Sequence, residues 1–317
     1  MQTAKRLRVA ICAGTFRREE PLGALLAATA RLEFSKIPAP EIQIVIVDND
    51  ARARAESVCR TAQVPWPLKY VVEPRRGISY VRNRALAEAG PVDFVAFIDD
   101  DEVPSPGWLD ELLSAQAHFS ADVISGPVVP RYAPDVPDWV RDGKFFEPPL
   151  LRTGTLRNVC ATNNVLVRSR VFSKVPAFDD AFALSGAEDS DFFLRVAEAG
   201  YKIVWCEDAV VFETITRRRA NMPWILRREY QTGNGWVFCE AGRGNSVRVR
   251  VMRCAKAWAH VAIGLFGALL WTMNRPAAAR SLRRAALGMG MIAALAGFKF
   301  LSYQGAAVEA PRSAKAG

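Results

Sequence analysis

The sequence predicts an α/β fold in which helices cover a mainly parallel β-sheet. Apolar runs of strand length alternate with segments of helical composition through the first hundred residues, and this alternation is typical of βαβ units. The runs are continuously apolar rather than alternating with polar residues, as strands buried on both faces are. At 317 residues the chain is long enough for one large domain or two smaller ones with a substantial core.

The first half of the chain supplies the clearest elements. Gly14 breaks the first apolar run, and Pro21 stands near the start of the first helix, where proline is tolerated. The predicted strands are 7–13, 42–47, 69–72 and 92–98, and the predicted helices between them are 21–32, 51–62 and 78–89.

The second half of the chain is less regular. A predicted helix over 108–119 and a strand over 123–129 precede 130–149, which is rich in proline and aromatic residues. These aromatic rings either pack an irregular segment or form a platform on which an acceptor sugar stacks. A strand over 159–167, a helix after the acidic stretch that ends at 191, and a last strand over 201–206 complete the predicted domain.

Polar residues follow the predicted strands. Crossovers between parallel strands are right-handed by strong preference, so the ends of these strands open on one edge of the sheet. The residues that we therefore expect to converge on one crevice are Thr15, Arg17, Asp48, Asp50, Arg75, Arg76, Asp99 and Asp101.

Four adjacent acids, 99–102, follow the strand that ends at Ile98. Their mutual repulsion must be compensated, and carboxylate oxygens suit Mg²⁺, Mn²⁺ or Ca²⁺. A solvated acidic turn is the alternative interpretation, and Glu102 is expected to be no more than a solvated neighbour. A second acidic cluster opens the helix that follows Gly186. Capping and the helix dipole account for one acid there better than for three.

Several classes of protein are disfavoured. No G-x-G-x-x-G follows the first strand and no G-x-x-x-x-G-K-[ST] is present, which argues against a dinucleotide site and a P-loop. A nucleotide bound without such a loop needs another charge partner for its phosphates, and a metal on the Asp cluster would supply it. The six cysteines are scattered without a C-x-x-C pair, so no zinc site is indicated.

Charge divides the chain into a predicted catalytic domain, 1–240, and a helical tail, 241–317. The formal net charge of +9 combines −2 for the first segment with +11 for the second. The tail holds two apolar runs, 257–273 and 285–298, joined by an arginine-rich loop, 274–284. Interfacial or re-entrant helices on an anionic membrane are favoured. The alternatives are two membrane spans or helices packed on the catalytic domain or on another subunit.

Five motifs, in order, resemble those of family 2 glycosyltransferases. They are Thr-Phe-Arg at 15–17, Val-Asp-Asn at 47–49, Gly-Ile-Ser-Tyr-Val-Arg-Asn at 77–83, Phe-Ile-Asp-Asp-Asp at 97–101 and Gly-Ala-Glu-Asp-Ser-Asp-Phe at 186–192. The resemblance spans 7–240 and is strongest to bacterial exopolysaccharide transferases of the succinoglycan type. It implies a GT-A fold with a single nucleotide-sugar-binding, Rossmann-like domain. It also implies a nucleotide-sugar donor, for which UDP-hexose is favoured, a divalent cation (Mn²⁺ or Mg²⁺) and inversion at the anomeric carbon.

The resemblance further implies roles for residues on the donor side. Thr15 and Arg17 would line the nucleoside pocket, and Asp48 would accept a hydrogen bond from uracil. Arg82 and Asn83 match the family's arginine–asparagine motif near the donor.

The acidic motifs match the family's D-x-D and later E-D segments. Asp99 and Asp101 would contact the ribose or sugar and the metal, with Asp100 as a spacer that contacts the sugar. Asp189 would be the catalytic base, with Glu188 and Asp191 as its neighbours.

One departure from the family pattern limits the expected reaction. The Q-x-x-R-W motif of processive synthases is absent, and 224–230 reads Trp-Ile-Leu-Arg-Arg-Glu-Tyr. This favours addition of a single sugar to a glycan or polyprenyl-diphosphate-linked acceptor. The expected location is the cytoplasm, peripheral or monotopic on the inner face of the cell membrane, without a nucleic-acid partner.

Two alternative functions remain open at this point. A nucleotidyltransferase that makes a nucleotide sugar would carry G-x-G-T-R after its first strand, which is absent. A basic nucleic-acid-binding protein would have a basic folded domain, whereas residues 1–240 are slightly acidic.

Overall fold

A computed structural model describes residues 6–241, 243–244 and 246–303, and within them the chain forms eleven strands and nine α-helices. The strands are β1 (Arg8–Thr15), β2 (Glu41–Asp48), β3 (Leu68–Val72), β4 (Phe94–Ile98), β5 (Glu102–Pro104), β6 (Val123–Ser125), β7 (Val128–Tyr132), β8 (Leu156–Arg157), β9 (Asn164–Arg168), β10 (Ile203–Trp205) and β11 (Val211–Ile215). The helices are α1 (Glu19–Thr29), α2 (Glu56–Thr61), α3 (Ile78–Ala89), α4 (Trp108–Phe119), α5 (Asp138–Gly143), α6 (Glu188–Glu198), α7 (Met222–Ala241), α8 (Val247–Leu270) and α9 (Arg275–Leu295).

The main sheet has the order β3-β2-β1-β4-β9-β6-β10-β8. Parallel pairing joins β3, β2, β1 and β4, whereas β9 runs antiparallel to both β4 and β6. The prediction of an α/β fold with a mainly parallel sheet is confirmed. Its four early strands begin or end within two residues of their predicted bounds, because each is a buried apolar run limited by polar or turn residues.

A second sheet, β5-β11-β7, was not predicted. The predicted strand over 123–129 is wrong because the chain leaves the main sheet after Ser125 and continues in the second sheet as β7. Pro127 cannot donate a ladder hydrogen bond, which favours a break there. The predicted last strand, 201–206, is followed by β11, which pairs antiparallel with β5 and parallel with β7.

Helices cover both faces of the main sheet. Leu22 and Leu109, from α1 and α4, are buried in the core on one face. Val81 and Phe192, from α3 and α6, are buried in the core on the other face. Fully burying side chains of this kind contributes about 1.5–3 kcal/mol each. Both cores therefore hold the strand ends in fixed register.

The strand order reverses between β1 and β4, which makes this pair the topological switch point of the sheet. The α1 and α2 crossovers lie on one face, and α3 crosses back on the other. The helices diverge at such a point and leave a crevice beyond the carboxyl ends of the strands. Thr15 at the end of β1 and Asp99 just after β4 flank this crevice.

Helix α9 packs between α7 and α8. Glycines allow these helices to cross closely, because a Cβ atom at Gly264 would lie 2.4 Å from the Ala285 nitrogen and one at Gly290 would lie 2.0 Å from the Tyr230 oxygen. The predicted arginine-rich loop over 274–284 is wrong, since Arg275–Leu295 is one helix capped by Asn274. The apolar runs are thus helical: α8 packs on α9, and α9 packs on α7. Among the described residues, no helix combines the length and apolar content needed to cross a membrane.

The side of α8 that faces away from α9 exposes large apolar side chains. Ala257, Val261 and Gly264 are buried toward α9, whereas Trp258 is 61% exposed. The other exposed apolar residues of this stripe include Val251, Met252, Leu265, Phe266, Leu269 and Leu270. A contiguous apolar face of this kind marks an interaction surface.

Asp110 fixes the chain entering β2 and provides a first prediction. Its buried carboxylate accepts hydrogen bonds from the backbone nitrogens of Ser35, Lys36 and Ile37, at 2.9, 2.9 and 3.1 Å. Asp110→Asn should lower the free energy of unfolding by about 2–3 kcal/mol, since an amide is a weaker acceptor and brings unpaired donors. Urea denaturation measures the change. Glu111→Gln is the control, because an exposed pair with Lys36 is worth about 0–1 kcal/mol.

The same carboxylate makes stability depend on pH. Burial opposes ionisation of Asp110, but the three amides and the Ser35 hydroxyl outweigh it, so its pKa lies below the ordinary value. The stabilisation is therefore fully present above an unfolded pKa of about 3.9 and is lost as pH falls through the folded value. The difference between wild type and Asp110→Asn should shrink in acid. A difference that grows below about pH 4 would contradict this assignment.

Candidate active site

Two arginines and a threonine hold the acids that follow β4. The Thr15 hydroxyl donates to Asp100 at 2.7 Å, and Arg18 contacts Asp100 and Asp101, each at 2.9 Å. Asp101 also lies 3.6 Å from Arg219. The repulsion expected among these carboxylates is thus partly compensated by guanidinium groups.

Arg82 connects the two acidic motifs. From the first turns of α3 it reaches Asp99 at 3.9 Å, and its other nitrogen forms an ion pair with Glu188 at the start of α6. Burial and the neighbouring carboxylates of Asp101 and Asp100, opposed by Arg82, raise the pKa of Asp99 to about 7. Because 47% of this side chain remains exposed, contact with water weakens the effect.

Glu102 is a correction to the sequence interpretation. It was expected to be solvated, but it is 1% exposed, and its carboxyl accepts a hydrogen bond from the Asp99 nitrogen at 3.0 Å. Pairing of β5 with β11 places it opposite Glu213. Burial and the nearby carboxylates of Asp99 and Glu213 raise the pKa of Glu102 well above its ordinary value. Glu102, the last of the four acids, is therefore a buried structural residue that supports the backbone of Asp99.

The end of β2 holds two neighbouring loops in place. The fully buried Asp48 accepts from the nitrogens of Asp50 and Ala55 and from the Tyr70 hydroxyl. These bonds keep 50–55 in turns, so the predicted helix over 51–62 shortens to α2, Glu56–Thr61. Asn49 donates to the carbonyl oxygens of Glu73 and Arg75 and accepts from the Gly77 nitrogen.

A basic and aromatic surface lies beside these loops. Arg17 pairs with Asp50 at 3.1 Å, and Arg76 stacks over the Phe16 ring at 3.3 Å. Arg17 also lies over this ring, 4.7 Å from its centroid, so one ring and two guanidinium groups are gathered next to Thr15. It is therefore suited to a ligand that carries both a base and phosphate.

Asn83 is engaged within the protein. Its amide donates to the Phe178 carbonyl and accepts from the Phe178 nitrogen, both at 2.8 Å, and also donates to Asp180 at 3.2 Å. These bonds account for both polar atoms of the side chain. Asn83 thus fastens α3 to the segment that leads into α6, which places it beside Arg82 on the helix without turning its amide to the crevice.

The start of α6 presents Asp189. Gly186 and Ala187 both have positive φ, +78° and +69°, and this turn sets the direction in which the helix begins. One Asp189 oxygen accepts from the Ser190 nitrogen at 2.6 Å, whereas among the described residues no donor reaches the other. Asp191 pairs with Arg195 at 2.8 Å and lies 3.6 Å from Arg243. Of the three acids, Asp189 has the least engaged carboxylate.

Three residues at the site were missed from the sequence. Arg18 directly follows the Thr-Phe-Arg motif, and its sequence signal is a second basic residue next to the end of the first strand. Arg219 follows β11, which was not predicted. Burial raises the pKa of Tyr303, on which Arg82, Asp99, Arg228 and Asp189 also act. The backbone nitrogen of Tyr303 donates to Leu184 at 3.0 Å, which brings the end of the described chain to the mouth of the crevice.

Asp99 and Asp101 are the carboxylates that could hold a metal. Among the described residues, no group of three or more His, Cys, Asp and Glu side chains is arranged around a cation position. Mg²⁺ commonly binds through one or two carboxylates and completes its shell with water and substrate phosphates. A pair of hard oxygen donors at the sheet edge fits that pattern.

These features define a class of protein. A mainly parallel sheet carries acids and arginines at its switch point, and a second acidic motif opens a helix across the crevice from it. The fold is that of a GT-A glycosyltransferase, and comparison with known proteins bears this out. The glycosyl transferase family 2 model matches residues 10–175, and the glycosyl transferase family group 2 model matches 94–300. The chain belongs to glycosyl transferase family 2.

Relatives and solved structures agree with that assignment. The succinoglycan biosynthesis protein ExoM of Rhizobium meliloti is 31% identical over 312 residues, covering 94% of this chain and 95% of that protein. The glycosyltransferase AglE of Haloferax volcanii is 24% identical over 63% of this chain and 64% of that protein. The fold is similar to the mannosyltransferase PcManGT of Pyrobaculum calidifontis, solved with GDP-Man and Mn²⁺, with a TM-score of 0.65 at 20% identity over 92% of this chain and 88% of that one.

Proposed function

We propose that this enzyme transfers one sugar from a nucleotide sugar, with UDP-hexose as the favoured donor, to a hydroxyl of a glycan acceptor in the synthesis of a cell-surface polysaccharide. The contact of Arg82 with both Asp99 and Glu188 carries this proposal. Through this contact, the acids that follow β4 and the acidic motif at the start of α6 lie at the same crevice. The acids that follow β4 are suited to binding a metal and the diphosphate of a nucleotide sugar. Similarity to ExoM supports the polysaccharide assignment.

Asp189 is the proposed catalytic base. A sugar hydroxyl is a poor nucleophile, so a carboxylate must accept its proton as it attacks. The free oxygen of Asp189 accepts that proton, the acceptor oxygen bonds to the anomeric carbon, and the bond from that carbon to the nucleoside diphosphate breaks. This single displacement inverts the anomeric configuration. Glu188 and Asp191 position the helix start through Arg82 and Arg195, respectively.

Asp99 and Asp101 are the proposed metal ligands. A divalent cation, Mn²⁺ or Mg²⁺, held there would supply positive charge to the diphosphate leaving group. Arg82 and Arg18, already in contact with these acids, orient the carboxylates toward the crevice. Asp100, bound by Thr15, is the spacer of the motif.

The donor's nucleoside is proposed to bind where β1 and β2 end. Arg17 and the ring of Phe16 provide a stacking and charged surface there, and Asp50 orients Arg17. Asp48 is fully buried, so it shapes this pocket through its bonds to the Asp50 and Ala55 nitrogens rather than by contact with the uracil ring. Asn83 positions α3, the helix that carries Arg82, through its hydrogen bonds to the Phe178 backbone.

Residues 1–240 are the proposed catalytic domain, and 241–317 are the proposed membrane-associated tail. The exposed apolar stripe of α8 supports this division, together with the basic residues of the same helix, Arg248, Arg250 and Lys256. An amphipathic, basic helix binds the interface of an anionic membrane. The protein would then be peripheral or monotopic on the cytoplasmic face.

Vesicle flotation tests the membrane proposal. The full chain should float with vesicles of phosphatidylglycerol and phosphatidylcholine at low salt, and less at high salt, because screening weakens the basic contribution. Phe266→Glu with Leu269→Glu should lower partitioning about tenfold or more, since two apolar side chains leave the interface. Leu156→Glu, equally exposed but on β8, is the matched control. Equal flotation of all three proteins would contradict an α8 interface.

Product analysis tests the proposed reaction. A panel of nucleotide sugars with a membrane lipid extract should release nucleoside diphosphate from one donor only when Mn²⁺ or Mg²⁺ is present. An α-linked donor should give a β-linked product by NMR. Retention of configuration would exclude the single displacement. Pyrophosphate release from a nucleoside triphosphate and a sugar phosphate would instead identify a nucleotidyltransferase.

A further inference from the structure

A short segment that follows α9, residues 297–303, crosses the mouth of the crevice, and we name it the strap. Gly297 turns the chain out of the helix with a φ of +89°, a conformation that favours glycine. The nitrogens of Gly297 and Phe298 donate to the carbonyl oxygens of Ala294 and Ala293, both at 2.9 Å. This pattern is a standard way to end a helix. None of the roles proposed above uses the strap.

Helix α7 holds the first half of the strap. The side-chain amide of Asn234, which is buried, donates to the Phe298 carbonyl at 2.8 Å and accepts from the Phe300 nitrogen at 2.9 Å. The rings of Phe300 and Tyr230 pack edge to face with their centroids 5.7 Å apart. A buried amide that bonds the backbone on both sides fixes its path. The strap therefore leaves α9 in a defined direction.

The turn that begins α6 holds the other half of the strap. The Ser302 hydroxyl donates to the Ser185 carbonyl, and the Tyr303 nitrogen donates to the Leu184 carbonyl, both at 3.0 Å. The ring of Tyr303 lies beside Gly186, where a Cβ atom would stand 3.7 Å from the ring Cε2. The same turn sets the direction of α6 and of the proposed base. The strap thus brings an aromatic side chain to the start of α6.

The phenol of Tyr303 lies among the charged groups of the site. Its pKa is raised by burial, lowered by Arg82, raised by Asp99, lowered by Arg228 and raised by Asp189. Both acidic motifs are therefore within electrostatic reach of this hydroxyl. In a single displacement, the transferred sugar lies between the metal-bound diphosphate and the base, and hence between these two motifs. A phenol hydroxyl can donate one hydrogen bond to such a sugar and accept another.

We propose that Tyr303 contacts the sugar of the nucleotide-sugar donor and that the strap covers this sugar during transfer. The phenol hydroxyl forms a hydrogen bond with a sugar hydroxyl group, and the ring lies against the sugar. This inference rests on the proposed function, and it adds a residue that follows the helical tail to the donor site. The uridine and the diphosphate bind without this contact.

Isothermal titration calorimetry on the full chain with Mn²⁺ tests the contact, with UDP, UDP-glucose and UDP-galactose as probes. Tyr303→Ala should weaken binding of the tighter of the two UDP-hexoses about tenfold or more and leave affinity for UDP unchanged. Tyr303→Phe, which keeps the ring, should weaken binding of the same UDP-hexose about threefold or more, as expected for loss of one hydrogen bond. Tyr201→Phe is the matched control, because this hydroxyl donates to the Arg170 carbonyl beyond the opposite end of α6.

Hydrogen–deuterium exchange provides a readout on the unsubstituted protein. The amides of Phe300 and Tyr303 donate to Asn234 and Leu184. They should exchange about fivefold or more slowly with the UDP-hexose and Mn²⁺ than with UDP and Mn²⁺. Amides of α8 should exchange equally in both complexes.

The outcomes separate this inference from the proposed function. Equal UDP-hexose affinity in wild type and Tyr303→Ala, or a parallel loss of UDP affinity in that variant, would overturn the sugar contact. Equal protection of the strap by UDP and by the UDP-hexose would overturn it as well. If Tyr303→Ala selectively loses UDP-hexose affinity while wild type transfers no sugar to any acceptor, the sugar contact stands and the proposed function fails.

Discussion

Asp189→Asn is expected to reduce kcat for sugar transfer by about 10²–10⁴-fold while leaving donor binding intact, because an amide cannot accept the hydroxyl proton. The substitution preserves shape, and the bond from the Ser190 nitrogen can be retained by the amide oxygen. Initial rates with saturating nucleotide sugar and acceptor measure the loss. Calorimetric titration with UDP and Mn²⁺ measures binding separately.

The matched control for this variant is Glu198→Gln. Glu198 lies at the other end of α6 and pairs with Arg243, so its amide tests a general effect of changing charge on the helix. It should retain near wild-type kcat. A variant at Asp189 that keeps more than about a tenth of wild-type kcat would remove the residue from the base role, since general-base catalysis contributes at least about 10².

Asp101→Asn is expected to lower metal-dependent kcat by about 10³-fold, or roughly 4 kcal/mol of transition-state stabilisation. The carboxylate contributes charge that an amide does not, and its neighbours Arg18 and Arg219 would then face the leaving group without a metal between them. Titration of Mn²⁺ in the presence of UDP, followed by electron paramagnetic resonance, should show weaker binding in parallel with the loss of activity.

Asp93→Asn provides the comparison for Asp101. Asp93 lies at the opposite end of the same strand, β4, where it accepts from the Arg8 nitrogen at 2.8 Å. Its amide can keep that bond, so both metal affinity and turnover should be unchanged. Unaltered Mn²⁺ affinity in Asp101→Asn would show that the cation is held elsewhere.

The half of the fold built from βαβ units follows from the sequence because its signals are local. Helices α3 and α4 have the predicted bounds, 78–89 and 108–119, since glycines precede both and one follows α3. The second sheet does not follow, because β5, β7 and β11 are short, and β11 pairs with β7 across 83 residues and with β5 across more than a hundred. The sequence also predicts a loop over 274–284 where the first half of α9 lies, because the arginines there resemble a polar loop.

The residues of the candidate site also differ in whether their positions follow from local sequence signals or from long-range contacts. Residues placed by a strand end, such as Thr15 and Asp99, could be predicted from topology alone. Arg18 and Arg219 could not, because their roles depend on which carboxylate they meet after folding. Asn83 differs from both groups. Its motif was recognised in the sequence and implies a place near the donor, but its side-chain amide bonds to the Phe178 backbone in the structure.

Arg219 ties the two sides of the site together energetically. Its guanidinium pairs with Glu213, lies 3.6 Å from Asp101 and stands over the rings of Phe146 and Trp224. A ligand that draws it toward either side therefore alters the electrostatic potential on the other. Linkage makes this free-energy coupling equal in both directions. Binding at the carboxylate cluster and binding against the rings of Phe146 and Trp224 would then be coupled. The sign of the coupling is set by the position of the Arg219 side chain that each ligand prefers.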